Sequence, residues 1–197
     1  MSTALPSAAP GRRERNKLAK LERITAAASE LFAEHGVDDV TTQQIAERAD
    51  IGTGTLFLYA RTKSELLLLV QNAHYAEALE RGRAAAADAG TVLDAVLALV
   101  APIVACNRAH VGNGRVYLRE MVFGDPAEPH HAEARSIVGR SEEAIAEILE
   151  RGGVPSASTV AGVVSAVVFV TLAAGDEPDV AAILPAIRAQ LASILPT

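Results

Sequence analysis

The segment Thr41–Lys63, TTQQIAERADIGTGTLFLYARTK, constrains the fold of this chain more than any other. Thr41 suits a helix N-cap, because its hydroxyl accepts a bond from an amide that the first helical turn leaves unpaired. Gln44, three residues on, reaches back to complete a capping box. Ile45 and Ala49 are four residues apart and mark the buried face of a short helix. Asp50 follows where the chain must turn, and aspartate tolerates the left-handed backbone region better than most residues. Ile51 is the apolar plug before a second short helix, which starts at Gly52 or Thr53 and buries Leu56 with Tyr59 or Ala60.

The outward positions of that second helix are Thr53, Gly54, Thr55, Phe57 and Leu58, followed by Tyr59 and Lys63. A slim helix end of this kind enters a major groove, with hydroxyls and amides on phosphates and a lysine at the edge. The pattern T-x-x-x-I-A-x-x-A, then G-T-L-F-x-Y, then K-x-E-L-L resembles the DNA-binding signature of the TetR family of bacterial transcriptional regulators over about residues 20–68. The resemblance implies an all-helical chain with an amino-terminal DNA-binding head, a small-molecule effector and dimerisation through the last two long helices. Four positions depart from the family pattern. Asp50 replaces the usual turn glycine, Gly52 the capping serine, Phe57 the first tyrosine and Ala60 the phenylalanine. Phe57 cannot hydrogen-bond a phosphate, and its ring is left to pack on sugar or a thymine methyl.

Charge and composition set the wider frame. The net charge of −6 does not announce a nucleic-acid binder, but residues 12–23 carry six basic residues against two acidic ones. A basic leading edge on an acidic body fits a protein that touches DNA with one end only. Cys106 is the single cysteine of the chain, so no disulfide closes within it, and a reducing, cytoplasmic setting is expected. Residues 1–11 lack the apolar core of a signal peptide and read as a disordered arm. The uncharged run Val154–Gly175 approaches the length of a bilayer span. Its serines, threonines and Pro155, with no flanking aromatic or basic belt, favour a helix buried at a subunit interface instead.

Periodicity then orders the chain into about nine helices, an all-α fold. Helix one runs from Arg13 to His35 with Gly36 as its stop. Ser64 caps the fourth helix, which leaves the head and continues to about Asp88. Thr91 caps a fifth, Val92–Ala109, with Pro102 expected to kink it. Gly112 and Gly114 mark a break before a short sixth helix, Arg115–Phe123. The seventh runs from Pro129 to Arg151, the eighth over 156–174, and the ninth from Asp176 to about Leu195. The resulting division is a helix-turn-helix DNA-binding domain at 12–65 and a ligand-binding and dimerisation domain at 66–197. Val163, Val167, Ile187, Leu191 and their neighbours make the last two helices too apolar to face water, which favours a homodimer.

Thr42, Thr53, Thr55, Tyr59 and Lys63 are the expected backbone contacts to an operator duplex. Gln43, Thr53, Gly54 and Phe57 face the bases, and Gln43 suits adenine. Arg12, Arg13 and Arg15 add charge. For an effector, His74, Cys106, His110, Tyr117, Met121 and Phe169 supply an apolar pocket with a few polar groups. No Walker loop, nucleophile elbow or zinc spacing is present, and no cofactor or metal is expected. Cys106 and His110 share a helical face, which keeps a cysteine enzyme as an alternative. A helical interaction module with a vestigial helix-turn-helix is another. His130 and His131, beside Glu128 and Glu133, read as a solvated helix start rather than a metal site.

Overall fold

The computed structural model describes residues 11–196, and these form nine α-helices with no strand. Residues 1–10, most of the expected arm, lie outside that range. Helix α1 (Arg12–Asp39) buries Ile24, Ala27, Ala28, Leu31 and Phe32 along one face. Gly36 breaks its geometry at φ 77°, ψ 158°, which is the stop expected from the sequence. One further turn follows as far as Asp39, because Val37 is drawn into the core. Helix α2 (Thr42–Arg48) carries the full Thr41–Gln44 capping box. Asp50 takes the left-handed turn at φ 53°, and α3 (Thr53–Leu56) follows with Gly52 as a cap that offers no side-chain bond. Helix α4 (Lys63–Ala86) starts two residues earlier than a Ser64 cap would place it. Its cap is Thr62, whose hydroxyl accepts from the Glu65 amide, and not Ser64.

Helix α5 (Val92–Arg108) is capped by Thr91 and continues through Pro102 as an unbroken helix. Helix α6 (Val111–Phe123) begins before the two glycines expected to interrupt it. The cause is local. His110 is the N-cap, its ring accepting from the Asn113 amide. Gly114 lies where any Cβ would collide with the Asn107 carbonyl. Its role is close approach of two helices that bend 110° at their junction. Helix α7 (Pro129–Arg151) matches its expected bounds. Helices α8 (Ala157–Ala174) and α9 (Val180–Leu191) follow, and α9 starts later than expected because Asp179, not the segment 176–178, supplies the cap.

Apolar side chains gather in two main clusters. One joins α1, α2 and α3 to the first two turns of α4, around Ile24, Phe32, Ile45, Leu56 and Leu67, and extends to Val70 and Val116. The other fills the space among α4, α5, α7, α8 and α9 around Leu79, Leu99, Ile145, Leu149 and Val164. Complete burial of each such side chain contributes about 1.5–3 kcal/mol. A small third cluster, with Leu68, Tyr75, Tyr117 and Ile137, lies along α4, α6 and α7. Helix α4 contributes to all three clusters. By length and composition α8 could cross a bilayer, but its inner residues Ala161, Val164, Val168 and Leu172 are part of the large cluster. Its outer residues Val163 and Val170 stay 45% and 60% exposed.

The backbones of α4 and α5 touch at Gly82, where a Cβ would strike the Leu99 carbonyl. Gly82→Ala should therefore destabilise the fold by about 1–3 kcal/mol, as overpacking does. Gly139, inside α7 with open space at its Cβ position, is the control. Gly139→Ala should stabilise by about 0.5–1 kcal/mol through helix propensity. Urea denaturation of the two variants checks both signs.

Candidate nucleic-acid interface and ligand cavity

The head presents a narrow end. Gly54 is exposed and Thr53 and Thr55 are half-buried on α3. Phe57 is 45% exposed and Leu58 82%. Tyr59 is half-buried, its hydroxyl 3.5 Å from the Lys17 carbonyl. At the start of α2, Thr42 is half-buried and Gln43 exposed. The Gln43 amide donates to Glu47 at 2.9 Å, so reading a base requires that bond to open. Lys63 is likewise engaged, its Nζ donating to the Asp38 carbonyl at 3.0 Å. Arg23 reaches the turn residue Asp50 at 3.4 Å.

The six expected ligand residues do not form one pocket. Tyr117, Met121 and Phe169 line a cavity of about 350 Å³ enclosed by α4, α5, α6, α7 and α8. His74, Cys106 and His110 line a separate groove of about 280 Å³ between α1, α4, α5 and α6. The reason is register on α4 and α5. Tyr75 and Asn107 point inward to the cavity, so their sequence neighbours His74 and Cys106 point to the groove. The cavity wall is mostly apolar, with Val100, Ile103, Leu118, Ile137, Ile145 and Leu172 among its residues; Asn107, Ser141, Ser165 and Glu142 are polar, and Glu142 is its one carboxylate. Such a size and lining suit a small, largely apolar ligand. The α8 residues around the cavity run from buried Val168 and Leu172 through Phe169 to exposed Ala166 and Val170. The cavity therefore borders the outer face of that helix.

Side-chain amides connect this cavity to the head. Tyr75 and Tyr117 stack with ring centroids 4.3 Å apart. The Tyr117 hydroxyl donates to Asn72 Oδ1 at 2.9 Å, and Asn72 Nδ2 donates to the His130 carbonyl at 2.9 Å. His130 Nε2 lies 3.1 Å from the Tyr59 carbonyl, just after α3. Alongside, Arg61 pairs with Glu128 at 2.8 Å. The hydrogen-bonded Glu65 carboxyl holds the Glu128 carboxyl above its ordinary range. A second attachment joins α6 to α1. Asn113 Oδ1 accepts from the Val37 amide at 2.7 Å and its Nδ2 donates to the Phe32 carbonyl at 2.7 Å. The His110 ring packs over Gly36, where no Cβ would fit.

Asn72, Tyr75, Arg108 and Asn113 were not among the expected site residues. The signal for them was a polar group at an inward position of an otherwise apolar helix. His131, expected at a solvated helix start, is instead 2% exposed with its Nε2 3.1 Å from the Met121 carbonyl. Among the described residues no group of three or more His, Cys, Asp or Glu side chains is placed to hold a metal.

Cys106 is not an activated nucleophile. Burial pushes its thiol up to about 11, and His110 uses its ring to cap α6. Alkylation of native protein should accelerate with pH toward a midpoint of about 11 and not the ordinary 9. At pH 8 the thiolate fraction should be about a hundredfold below that of an unperturbed thiol, two pH units of displacement. Iodoacetamide labelling rates across pH check this.

Residues 24–70 match the family model described as bacterial regulatory proteins, tetR family. Among curated proteins none matches the sequence significantly. Among solved structures, FadR of Thermus thermophilus, a TetR-family transcriptional repressor in complex with lauroyl-CoA, is 25% identical. That match covers 90% of this chain and 96% of that one, with a TM-score of 0.67. A putative transcriptional regulator from Rhodococcus sp. RHA1 is 21% identical over 90% of this chain and 96% of that one, TM-score 0.67. A TetR/AcrR-family regulator from Thermobifida fusca is 18% identical over 90% and 99%, TM-score 0.65. These last two likenesses speak for the fold alone. The head of the chain thus matches the TetR family of bacterial regulatory proteins, and nine-tenths of its length shares the fold of TetR-family regulators.

Proposed function

We propose that the chain is a ligand-responsive one-component repressor that binds a near-palindromic operator as a homodimer and leaves it when a small molecule fills the α4–α8 cavity. The division is a DNA-binding domain at 12–65 and a ligand-binding and dimerisation domain at 66–197. Thr42, Gln43, Thr53, Gly54, Thr55, Phe57, Tyr59 and Lys63 form the reading surface, and Tyr117, Met121 and Phe169 contact the effector. The observation that carries this reading is the partly buried chain of hydrogen bonds from the cavity wall to the carbonyl of Tyr59. A ligand that displaces the Tyr75–Tyr117 stack shifts Asn72 and His130, and with them the turn between α3 and α4. The effector acts only through different affinities for the two states, so duplex must weaken ligand binding by the same factor.

Dimerisation is supported by the outer stripe of α8. Thr159, Val163, Ala166, Val170 and Ala174 are exposed at helical spacing, and α8 carries no charge along its length. A second copy would bury that stripe isologously together with α9.

Selection from a random duplex pool should recover an inverted repeat with half-sites about one helical turn, ~34–36 Å, apart. Affinity for it should fall with salt at a log–log slope of about −0.9 per phosphate neutralised. Val163→Glu should yield monomers in sedimentation and lower duplex affinity at least about a hundredfold, since one head then binds alone. A monomer that keeps full affinity would overturn the reading. With effector in hand, His130→Ala should leave ligand binding intact and cut its effect on duplex affinity at least about fivefold.

A further inference from the structure

Arg108 is 5% exposed and faces no carboxylate within ion-pairing distance. Asp176, the acid whose charge bears on it, pairs with Arg115. Its Nη2 donates to the Leu172 and Gly175 carbonyls at 2.9 and 3.2 Å, capping α8. Its Nη1 donates to Asn107 Oδ1 at 2.6 Å, and its Nε is buried with no partner. Capping accounts for one nitrogen and leaves the charge uncompensated. An unpaired buried cation is expensive to keep.

The bond to Asn107 has a direction. Asn107 Nδ2 donates in turn to the Tyr75 hydroxyl at 2.8 Å. The Tyr75 oxygen is thus an acceptor, and its own hydrogen has no acceptor among the described residues. Tyr117 differs, because its hydrogen is taken by Asn72. Tyr75 and Asn107 both line the cavity. Donors chained head to tail polarise one another, so a fixed positive charge at the start strengthens the last donor in the row.

We infer that the Tyr75 hydroxyl is the ligand-orienting donor of the cavity, reinforced through Asn107 by Arg108, and that the site takes an apolar molecule bearing one anionic oxygen of carboxylate type. This rests on the cavity being a ligand site, and it adds the class of ligand. The opposing feature is Glu142, the one carboxylate in the lining, which on its own would favour a cation.

The test uses three probes of equal length, decanoate, decanol and decylamine, titrated calorimetrically into the full chain. Decanoate should bind at least about tenfold tighter than decanol, the range of a hydrogen bond to a charged group, and decylamine weakest. Tyr75→Phe removes the hydroxyl alone and should abolish the preference for decanoate while decanol changes by less than about threefold. Arg108→Gln should reduce the preference and Arg108→Lys should retain part of it. Tyr75→Phe carries the test should the Arg108 variants not fold. Equal binding of decanoate and decanol, tighter binding of the amine, or unchanged decanoate affinity in Tyr75→Phe would each overturn the inference and leave the cavity as a ligand site. No binding by any of the three would sink the cavity reading with it.

Discussion

Three buried asparagines hold the two apolar cores of this protein in a fixed relation. Asn72, Asn107 and Asn113 are 6%, 1% and 2% exposed, and each joins elements that apolar packing alone would let slide. Apolar contact is not directional, whereas a side-chain amide is satisfied only when its donor and acceptor both find partners. Asn113 meets this condition with the amide of Val37 and the carbonyl of Phe32, locking α6 to the end of α1. Asn72 does so with Tyr117 and the His130 carbonyl, locking α4 to α6 and α7. Loss of either amide strands buried partners, at about 1–3 kcal/mol each. The cores supply most of the stability, and the amides decide how one core is oriented on the other.

That orientation also needs close backbones. Gly82 brings α4 against α5 and Gly114 brings α6 against the end of α5. With the helices this near, Asn107 reaches both Tyr75 and the Gly114 carbonyl. Glycine serves here as an absence of bulk, and only Gly36 and Gly153 use its freedom of φ.

The head was legible from sequence because its determinants are local. Capping at Thr41–Gln44, the aspartate at the turn and the spacing of Ile45, Ala49 and Leu56 all act within a few residues. Helix ends governed by alternative caps were misplaced by a few residues, as with Thr62 for Ser64 and Asp179 for the segment before it. Gly112 and Gly114 looked like a break because sequence cannot distinguish a glycine that turns the chain from one that admits a neighbour. The expected effector residues divide between two compartments. Tyr117, Met121 and Phe169 line the cavity, while on α4 His74 stood for its neighbour Tyr75, and Cys106 falls in the separate groove. A rotation of one residue on a helix is 100°, enough to move a side chain from one compartment to another, and composition does not fix that angle.

Much of the cavity wall on α5, α7 and α8 is aliphatic, Ile103, Ile145 and Val168 included, while the amide contacts that reach the head sit on α4, α6 and the first turn of α7. Under the proposed function, size and shape preference rest mainly on these walls, and the relay to the head meets the cavity at Tyr117. Exchanging Ile103, Ile145 or Val168 for bulkier or smaller aliphatics re-sculpts the chamber without touching Asn72, Asn113 or His130. Under the proposed function, a scaffold partitioned in this way can be retuned to new molecules one wall residue at a time, with the contacts to the head left in place.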